Sequence, residues 1–211
     1  THSQERVALK RLHPHLVSDQ EASRLFVREV RLLQQLDHPN IVPVLDHGVV
    51  DGYPYLTTSY AEGIPLHFLF RRLLARGRMM PVPVFRWIIE SVAFGLDYAH
   101  EAKDQNGEPM NIVHRDVSPQ NIYLTLQGKV LLLDFGVWRA ANHTLTEAGV
   151  IKGKLAYMAP EQFSDKPIDR RADIFALGIV AWEALTLQRL FRRDNDLITL
   201  VAVSSDPIPD V

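Results

Sequence analysis

The chain has 211 residues, of which 46% are hydrophobic, and this is enough for a globular domain with a substantial core. Its 23 basic and 25 acidic residues give a net charge of −2, which argues against binding nucleic acid or a membrane through bulk charge. The absence of cysteine excludes disulfides and thiolate metal sites. No signal peptide opens the chain and no apolar run approaches membrane-spanning length, so we expect a cytoplasmic location unless regions outside this chain tether a longer parent protein.

The first predicted elements are a strand and a helix. Residues 7–10 form a short apolar strand that ends in Lys10, and the sequence Ser-Asp-Gln-Glu at 18–21 is a capping box that predicts a helix start. Apolar residues then recur at helical spacing, and Glu29 lies within their stripe. A carboxylate in such a position is costly unless a cation pairs with it.

The middle of the chain predicts two strands and two helices. Residues 41–50 and 53–60 are strand-like and are joined by an Asp-Gly turn, and residues 61–63 form a short link. Residues 65–77 form a short amphipathic helix with a basic cluster (Arg71, Arg72, Arg76 and Arg78), for which a solvated face is the favoured interpretation. Residues 84–100 have the apolar stripe of a long helix.

The stretch 112–136 carries the densest chemistry. Apolar runs at 122–126 and 130–133 flank the turn Gln-Gly-Lys, and this pattern predicts a β-hairpin. The hairpin brings Asn121 beside Asp134, with Asp116 nearby. An amide and carboxylates converging at a hairpin mouth suit a hard, oxygen-binding cation such as Mg²⁺.

The last part of the chain has less pattern at first and then two helices. Residues 137–155 are irregular and contain Thr144 and Thr146. Residues 169–187 are nearly all apolar after their first turn, which predicts a helix buried on every side. Residues 194–203 predict one more helix.

Four motifs occur in order along the chain: Val-Ala-Leu-Lys at 7–10, His-Arg-Asp at 114–116 with Asn121, Asp-Phe-Gly at 134–136 and Ala-Pro-Glu at 159–161. Together they resemble the eukaryotic-type protein kinase family, most closely its bacterial Ser/Thr members. The resemblance implies an α+β, bilobal fold: a partial N-lobe of antiparallel strands and one helix over residues 1–60, a hinge at 61–63, and a larger, mainly helical partial C-lobe over 64–211.

The resemblance also implies ATP and Mg²⁺ as cofactors and a protein Ser/Thr hydroxyl as substrate. By this resemblance Asp116 is the catalytic base, and Asn121 and Asp134 hold Mg²⁺. Lys10 holds the α- and β-phosphates and pairs with Glu29, which supplies the cation that the buried carboxylate needs.

The nucleotide pocket and the regulatory residues follow from the same resemblance. Ala8 covers the adenine, Thr58 guards the back of the pocket, and the backbone of Ser59 and Ala61 bonds the adenine edge. Tyr123 also belongs to the expected ATP contacts. Arg115 would pair with a phosphate on Thr144 or Thr146 and so order the activation loop.

Two positions depart from the family pattern. In the family, the residue two positions after the catalytic aspartate is usually a lysine, and here it is Ser118. The family's Gly-Thr pair before Ala-Pro-Glu is Gly-Lys here, with Lys154 in the threonine position. We predict an exchange of partners, in which Lys154 supplies the cation and Ser118 the hydroxyl. The alternative is that Lys154 points to solvent.

The chain contains no Gly-x-Gly-x-x-Gly motif, and no segment of it resembles the closing helices of the family's larger lobe. It therefore resembles a fragment of a kinase domain, for which we expect little activity and association through the exposed sheet of the N-lobe. The alternatives are a pseudokinase, that is a kinase-like interaction module, and a small-molecule kinase, which the Ala-Pro-Glu motif disfavours.

Overall fold

The computed structural model describes residues 6–12, 14–135, 154–164 and 166–211. Thr144 and Thr146 lie outside the described residues. The chain begins with an antiparallel sheet of β1 (Val7–Arg11), β2 (Val44–Val50) and β3 (Tyr53–Ser59) in the order β1-β3-β2. Alternation along β3 buries Leu56 on one face, while β1 forms an edge whose Leu9 is 64% exposed.

Two helices, α1 (Pro14–Val17) and α2 (Gln20–Leu33), follow β1, and α2 packs on the sheet. The cluster between them and the sheet consists of Leu12, Ala22, Phe26, Val30 and Leu56. Helix α2 begins within the residues of the predicted capping box, where Asp19 Oδ1 accepts the Ala22 N–H at 3.2 Å. A carboxylate at this position also interacts favourably with the positive end of the helix dipole.

A second small sheet contains the predicted hairpin, which the structure confirms. Its strands are β4 (Gly63–Pro65), β5 (Ile122–Thr125) and β6 (Val130–Leu132), all antiparallel. Gly128 has a φ of +72° in the turn, a conformation that glycine adopts without steric cost. The sequence does not predict β4, where any side chain at Gly63 would clash with the Leu124 carbonyl oxygen.

The remaining structure is helical. It comprises α3 (Leu66–Ala75), α4 (Val82–His100), α5 (Arg171–Thr186), α6 (Asp196–Ser205) and two 3₁₀ turns, Leu155–Tyr157 and Pro160–Phe163. Helices α4 and α5 pack together with the hairpin around the largest core of the described chain. The prediction that α5 is buried on every side is wrong, because Ile174 is 55% exposed and Gly178 lies one turn further along the same exposed stripe.

The segment between α2 and β2 connects the first sheet to the hairpin. The Val42 N–H donates to the Leu132 carbonyl at 3.0 Å, and Asn40 Nδ2 donates to the Val130 carbonyl at 2.9 Å. These bonds fix β6, and with it the start of the segment that carries Asp134, against the first sheet. None of the helices in the described ranges is long and apolar enough to cross a bilayer.

Candidate active site

The loop that carries Asp116 is anchored from below by α5. Asp173, which is fully buried, accepts the backbone N–H of His114 at 2.8 Å and that of Arg115 at 2.7 Å. Its Oδ2 also lies 2.8 Å from Nε2 of His100, at the end of α4. Arg115 has a φ of +61°, an unfavourable conformation for a side chain of its size, and these bonds offset that strain.

His114 connects this loop to the end of the hairpin. Its ring is fully buried and is tilted by 39° against the ring of Phe135, with the two ring centroids 4.4 Å apart. Its Nε2 lies 3.0 Å from the Leu133 carbonyl oxygen. Burial lowers the pKa of His114, so the ring is neutral and acts as packing and as a hydrogen-bonding spacer. The loop and the Asp-Phe-Gly segment are therefore held in a fixed relation.

Asp116 is held on two sides. Asn121 Nδ2 donates to both the backbone carbonyl and Oδ2 of Asp116, each at 2.8 Å. Lys154 Nζ contacts the same Oδ2, and the side chain of Asp116 is only 10% exposed. The structure thus places Lys154 against the predicted base and not in solvent.

Ser118 does not complete the predicted exchange of partners. The residue is fully buried, and its Oγ has no hydrogen-bond partner among the described residues. The ammonium group of Lys154 goes to the Asp116 carboxylate because a full negative charge attracts it more strongly than a hydroxyl dipole does.

On the nucleotide side, Lys10 forms its ion pair with Asp134 Oδ1, so the predicted Lys10–Glu29 pair is wrong for this conformation. Burial raises the pKa of Glu29 to about 7, and the charges of Arg115 and Arg28 offset this only in part. The desolvation of Glu29 inferred from the helical stripe is real, but its electrostatic partners are arginines.

A pocket of about 410 Å³, counting the part open to solvent, lies between the first sheet, α2 and the hairpin. It brings together three of the predicted site residues, Lys10, Thr58 and Asp134, with apolar walls that include Phe135. The other wall residues are Leu33, Ile41, Val42, Val44 and Leu56.

The remaining predicted ATP contacts lie outside the lining of this pocket. Ala8 is the register partner of Thr58, and the Ser59 N–H is used by the Pro43 carbonyl at 3.2 Å. Ala61 is half-buried in the link between β3 and β4. The Tyr123 hydroxyl donates to the Gly63 carbonyl at 2.9 Å, which ties β5 to the end of that link.

The donor set fits Mg²⁺. Asn121 engages Asp116 through its amide nitrogen, which leaves its oxygen as a donor for a cation, and Asp134 supplies a carboxylate. No group of three or more His, Asp or Glu side chains suited to a metal occurs in the described ranges. One carboxylate and one amide are typical of Mg²⁺ sites that are completed by substrate phosphates.

Sequence reasoning missed a buried polar cluster under the 3₁₀ turn Leu155–Tyr157. Glu183, on α5, is 1% exposed, and its Oε2 accepts the Tyr157 hydroxyl at 2.6 Å and Arg189 Nη1 at 2.9 Å. Burial, followed by the charge of Glu183, raises the pKa of Tyr157 well above its usual value. The signal was present, since Glu183 interrupts an apolar helix just as Glu29 interrupts the stripe of α2.

A second missed residue is Gln162, which couples the Ala-Pro-Glu turn to the catalytic loop. Its Oε1 accepts the Ala159 N–H at 2.9 Å, and its Nε2 donates to the Arg115 carbonyl at 3.0 Å. A single side chain therefore bridges the two ends of the site.

Comparison with known proteins agrees with this geometry. The family model for the protein kinase domain matches residues 1–206. The tyrosine-protein kinase MasK of Myxococcus xanthus is 44% identical over 198 residues, which are 93% of this chain and 31% of MasK. The serine/threonine-protein kinase Pkn1 of Myxococcus xanthus is 35% identical over 97% of this chain and 28% of its own length.

Solved structures give the same fold. The kinase domain of Mycobacterium tuberculosis PknI superposes with a TM-score of 0.67 and 32% identity, covering 87% of this chain and 65% of that domain. This confirms the predicted α+β kinase fold. The chain spans about a third of the length of the curated relatives it matches. From the motifs, the anchored catalytic loop and these matches, we conclude that the chain belongs to the protein kinase family.

Proposed function

We propose that this chain is the catalytic core of a serine/threonine protein kinase, which transfers the γ-phosphoryl group of ATP to a protein hydroxyl. The observation that carries the proposal is the arrangement at Asp116. Its carboxylate is fixed by Asn121 on one side and Lys154 on the other, in a loop anchored to α5 by Asp173. Phosphoryl transfer depends mainly on such positioning and on charge stabilisation.

In this proposal Asp116 orients the substrate hydroxyl and takes its proton as the oxygen–phosphorus bond forms. Lys154 offsets the negative charge that develops on the transferred group, the role of the lysine that Ser118 replaces. Because Lys154 follows the activation segment in the sequence and contacts Asp116, the site is complete only when residue 154 is in place. This links catalysis to the conformation of the activation segment.

Lys10 binds the phosphates, and Asn121 and Asp134 hold Mg²⁺, which when bound neutralises phosphate charge. Around the adenine we propose Ala8, Thr58, Ser59, Ala61 and Tyr123, on the first sheet, the link and β5. The Lys10–Asp134 contact keeps a cation and a metal ligand together, so nucleotide binding must redistribute their charges.

Control by phosphorylation of Thr144 or Thr146 is also part of the proposal. The guanidinium group of Arg115 would pair with the phosphate on either threonine. Gln162 already links the backbone carbonyl of Arg115 to the Ala-Pro-Glu turn. If enzyme treated with a phosphatase keeps full activity, this part of the proposal is wrong.

The hydroxyl class is tested by phosphoamino-acid analysis. Pkn1 is named a serine/threonine kinase, whereas MasK, at higher identity, is named a tyrosine kinase. We expect the full-length protein with Mg-ATP to label serine or threonine in a peptide library that offers all three hydroxyls. Labelling of tyrosine alone would replace the Ser/Thr proposal with the class named for MasK.

The alternative of a non-catalytic interaction module predicts no transfer to any peptide and none to the protein itself. The Asp116→Asn variant is the matched control, because it keeps the shape of the side chain and removes its charge. Labelling that persists in this variant would show that the activity comes from a contaminant or from another base.

A further inference from the structure

The buried carboxylate beside the catalytic loop is already saturated by the protein. Glu183 Oε1 accepts the Leu190 N–H at 3.3 Å, and Oε2 accepts both the Tyr157 hydroxyl and Arg189 Nη1. With 1% exposure and these three donors, Glu183 is not available to a cationic residue of a substrate.

Arg189 is partly exposed and has donors that the described residues do not use. Its side chain is 39% exposed, and within the described ranges only Nη1 makes hydrogen bonds, to Glu183 and Tyr157. The guanidinium group is planar and has five N–H donors, so Nε and Nη2 remain to bind an anionic oxygen group in a forked geometry.

Arg189 lies close to the reacting centre. Tyr157, which it contacts, is one 3₁₀ turn after Lys154, and a turn of this kind advances the chain by about 6 Å. On α3, the backbone N–H of His67 donates to the carbonyl of Pro119, which lies in the catalytic loop, at 3.0 Å. Arg71 follows His67 by four residues on α3, so it lies on the same face of this helix, one turn from the junction.

Two further cations flank the same place. Arg71, on α3, and Arg192, after α5, are both exposed, and neither forms an ion pair with an acidic side chain of the described chain. Arg192 follows Arg189 by three residues in the segment between α5 and α6. Asp116 and Glu183 are already engaged by Lys154 and Arg189, so these two carboxylates do not neutralise Arg71 or Arg192.

We propose that Arg71, Arg189 and Arg192 form a substrate-selecting basic rim, which favours acidic residues within a few positions of the phosphorylated hydroxyl. The inference rests on the proposed kinase activity and names its substrate class. An extended peptide advances about 3.3–3.6 Å per residue, so side chains two or three positions from the hydroxyl at Asp116 reach the rim. The recognised chemistry is an anionic oxygen group, either a carboxylate or a phosphate on a neighbouring residue.

The test uses the full-length protein and four peptides that share one acceptor serine. The positions two and three residues on either side of it carry glutamate, phosphoserine, glutamine or lysine. We expect kcat/KM to be about tenfold higher for the glutamate peptide than for the lysine peptide, as a few partly exposed charge pairs would give. If kcat/KM is higher still for the phosphoserine peptide than for the glutamate peptide, phosphate is the preferred anionic group.

The variants separate the rim from general charge. The double variant Arg71→Glu/Arg192→Glu changes exposed residues and should reduce the glutamate-over-lysine ratio at least about fivefold. The control variant Arg72→Glu/Arg76→Glu has the same net charge and changes one residue on α3 and the C-cap residue that follows it, and it should keep the ratio of the wild type. Arg189→Lys, which keeps the counter-charge of Glu183 but loses the fork, should give an intermediate ratio.

Peptide binding by fluorescence anisotropy distinguishes the two ways to fail. If no peptide is phosphorylated, the kinase proposal fails, and tighter binding of the glutamate peptide than of the lysine peptide would still support the rim. Equal binding, or equal kcat/KM in an active enzyme, overturns the rim, as does an equal loss of preference in the Arg72→Glu/Arg76→Glu control.

Discussion

The two halves of the candidate site are held in different ways. The half around Asp116 is built from buried polar groups with several partners each, such as Asp173, which accepts two backbone N–H groups and lies against His100. The half around Lys10 is held by the ion pair between Lys10 and Asp134, and each of these two side chains is about one third exposed. The catalytic loop is therefore preorganised by the core, whereas the phosphate-binding half depends on a contact that a ligand can replace.

The first test of this comparison removes the base itself. In the full-length protein, Asp116→Asn should lower kcat by at least about 1,000-fold, since a positioned general base contributes a factor of this order. The affinity for Mg-ATP, measured by isothermal titration calorimetry, should stay within a few-fold, because Asp116 belongs to the other half. A large loss of nucleotide affinity would show that the two halves are not separable.

The second test attacks the anchor of the catalytic loop. Asp173→Asn should lower the free energy of unfolding by about 3 kcal/mol or more, because it leaves buried donors around a neutral amide. Asp169→Asn is the matched control, since Asp169 precedes the same helix and pairs only with the exposed Arg171. Denaturation curves that show equal stability for both variants would contradict the preorganised loop.

The third test concerns Lys154. Lys154→Ala should reduce kcat by about 100-fold, the usual effect of removing one charge-stabilising donor, with little change in ATP affinity. Lys129→Ala, in the exposed turn of the hairpin, should have no effect on either quantity. Near-normal turnover in Lys154→Ala would show that its contact with Asp116 is structural.

The smallest expected effect is on the nucleotide side. The pKa of Glu29 is about 7 in the folded chain and near 4.5 when unfolded, so ionisation opposes folding, and stability falls as the pH rises through 7. Glu29→Gln should therefore raise Tm relative to wild type at pH 8 and have less effect at pH 5.5. A difference in Tm that does not change with pH would mean that Glu29 is not desolvated.

Local patterns predicted the elements well. The hairpin was predictable because two apolar runs flank a glycine turn, and its register is the one that brings Asn121 towards Asp134. The strand β4 was not predictable, since three residues become a strand only through pairing with β5, sixty positions away. The ends of α3, α4, α5 and α6 differ from the predicted ends by one or two residues. At the start of α6 the reason is a cap, because Asn195 Oδ1 accepts the Ile198 N–H at 2.8 Å.

The site was predictable where a local pattern limited the geometry and not where tertiary placement decided it. Two paired departures from the family pattern predicted that Lys154 would replace a missing charge, and the structure places it against Asp116. Its catalytic role stays a prediction. The partner of Lys10 depends on how α2 sits on the sheet, which no local pattern specifies, and the pair with Glu29 was therefore assigned wrongly.

If Lys154 supplies the charge that Ser118 does not, moving the lysine from position 154 to position 118 should restore phosphoryl transfer. Single-turnover phosphoryl transfer should be measured in Lys154→Thr alone and in the double variant Ser118→Lys/Lys154→Thr, which restores the arrangement typical of the family. We expect Lys154→Thr to transfer the phosphoryl group about 100-fold more slowly than the wild type. The double variant should be at least about tenfold faster than Lys154→Thr. A folded double variant that is no faster than Lys154→Thr alone would contradict the claim.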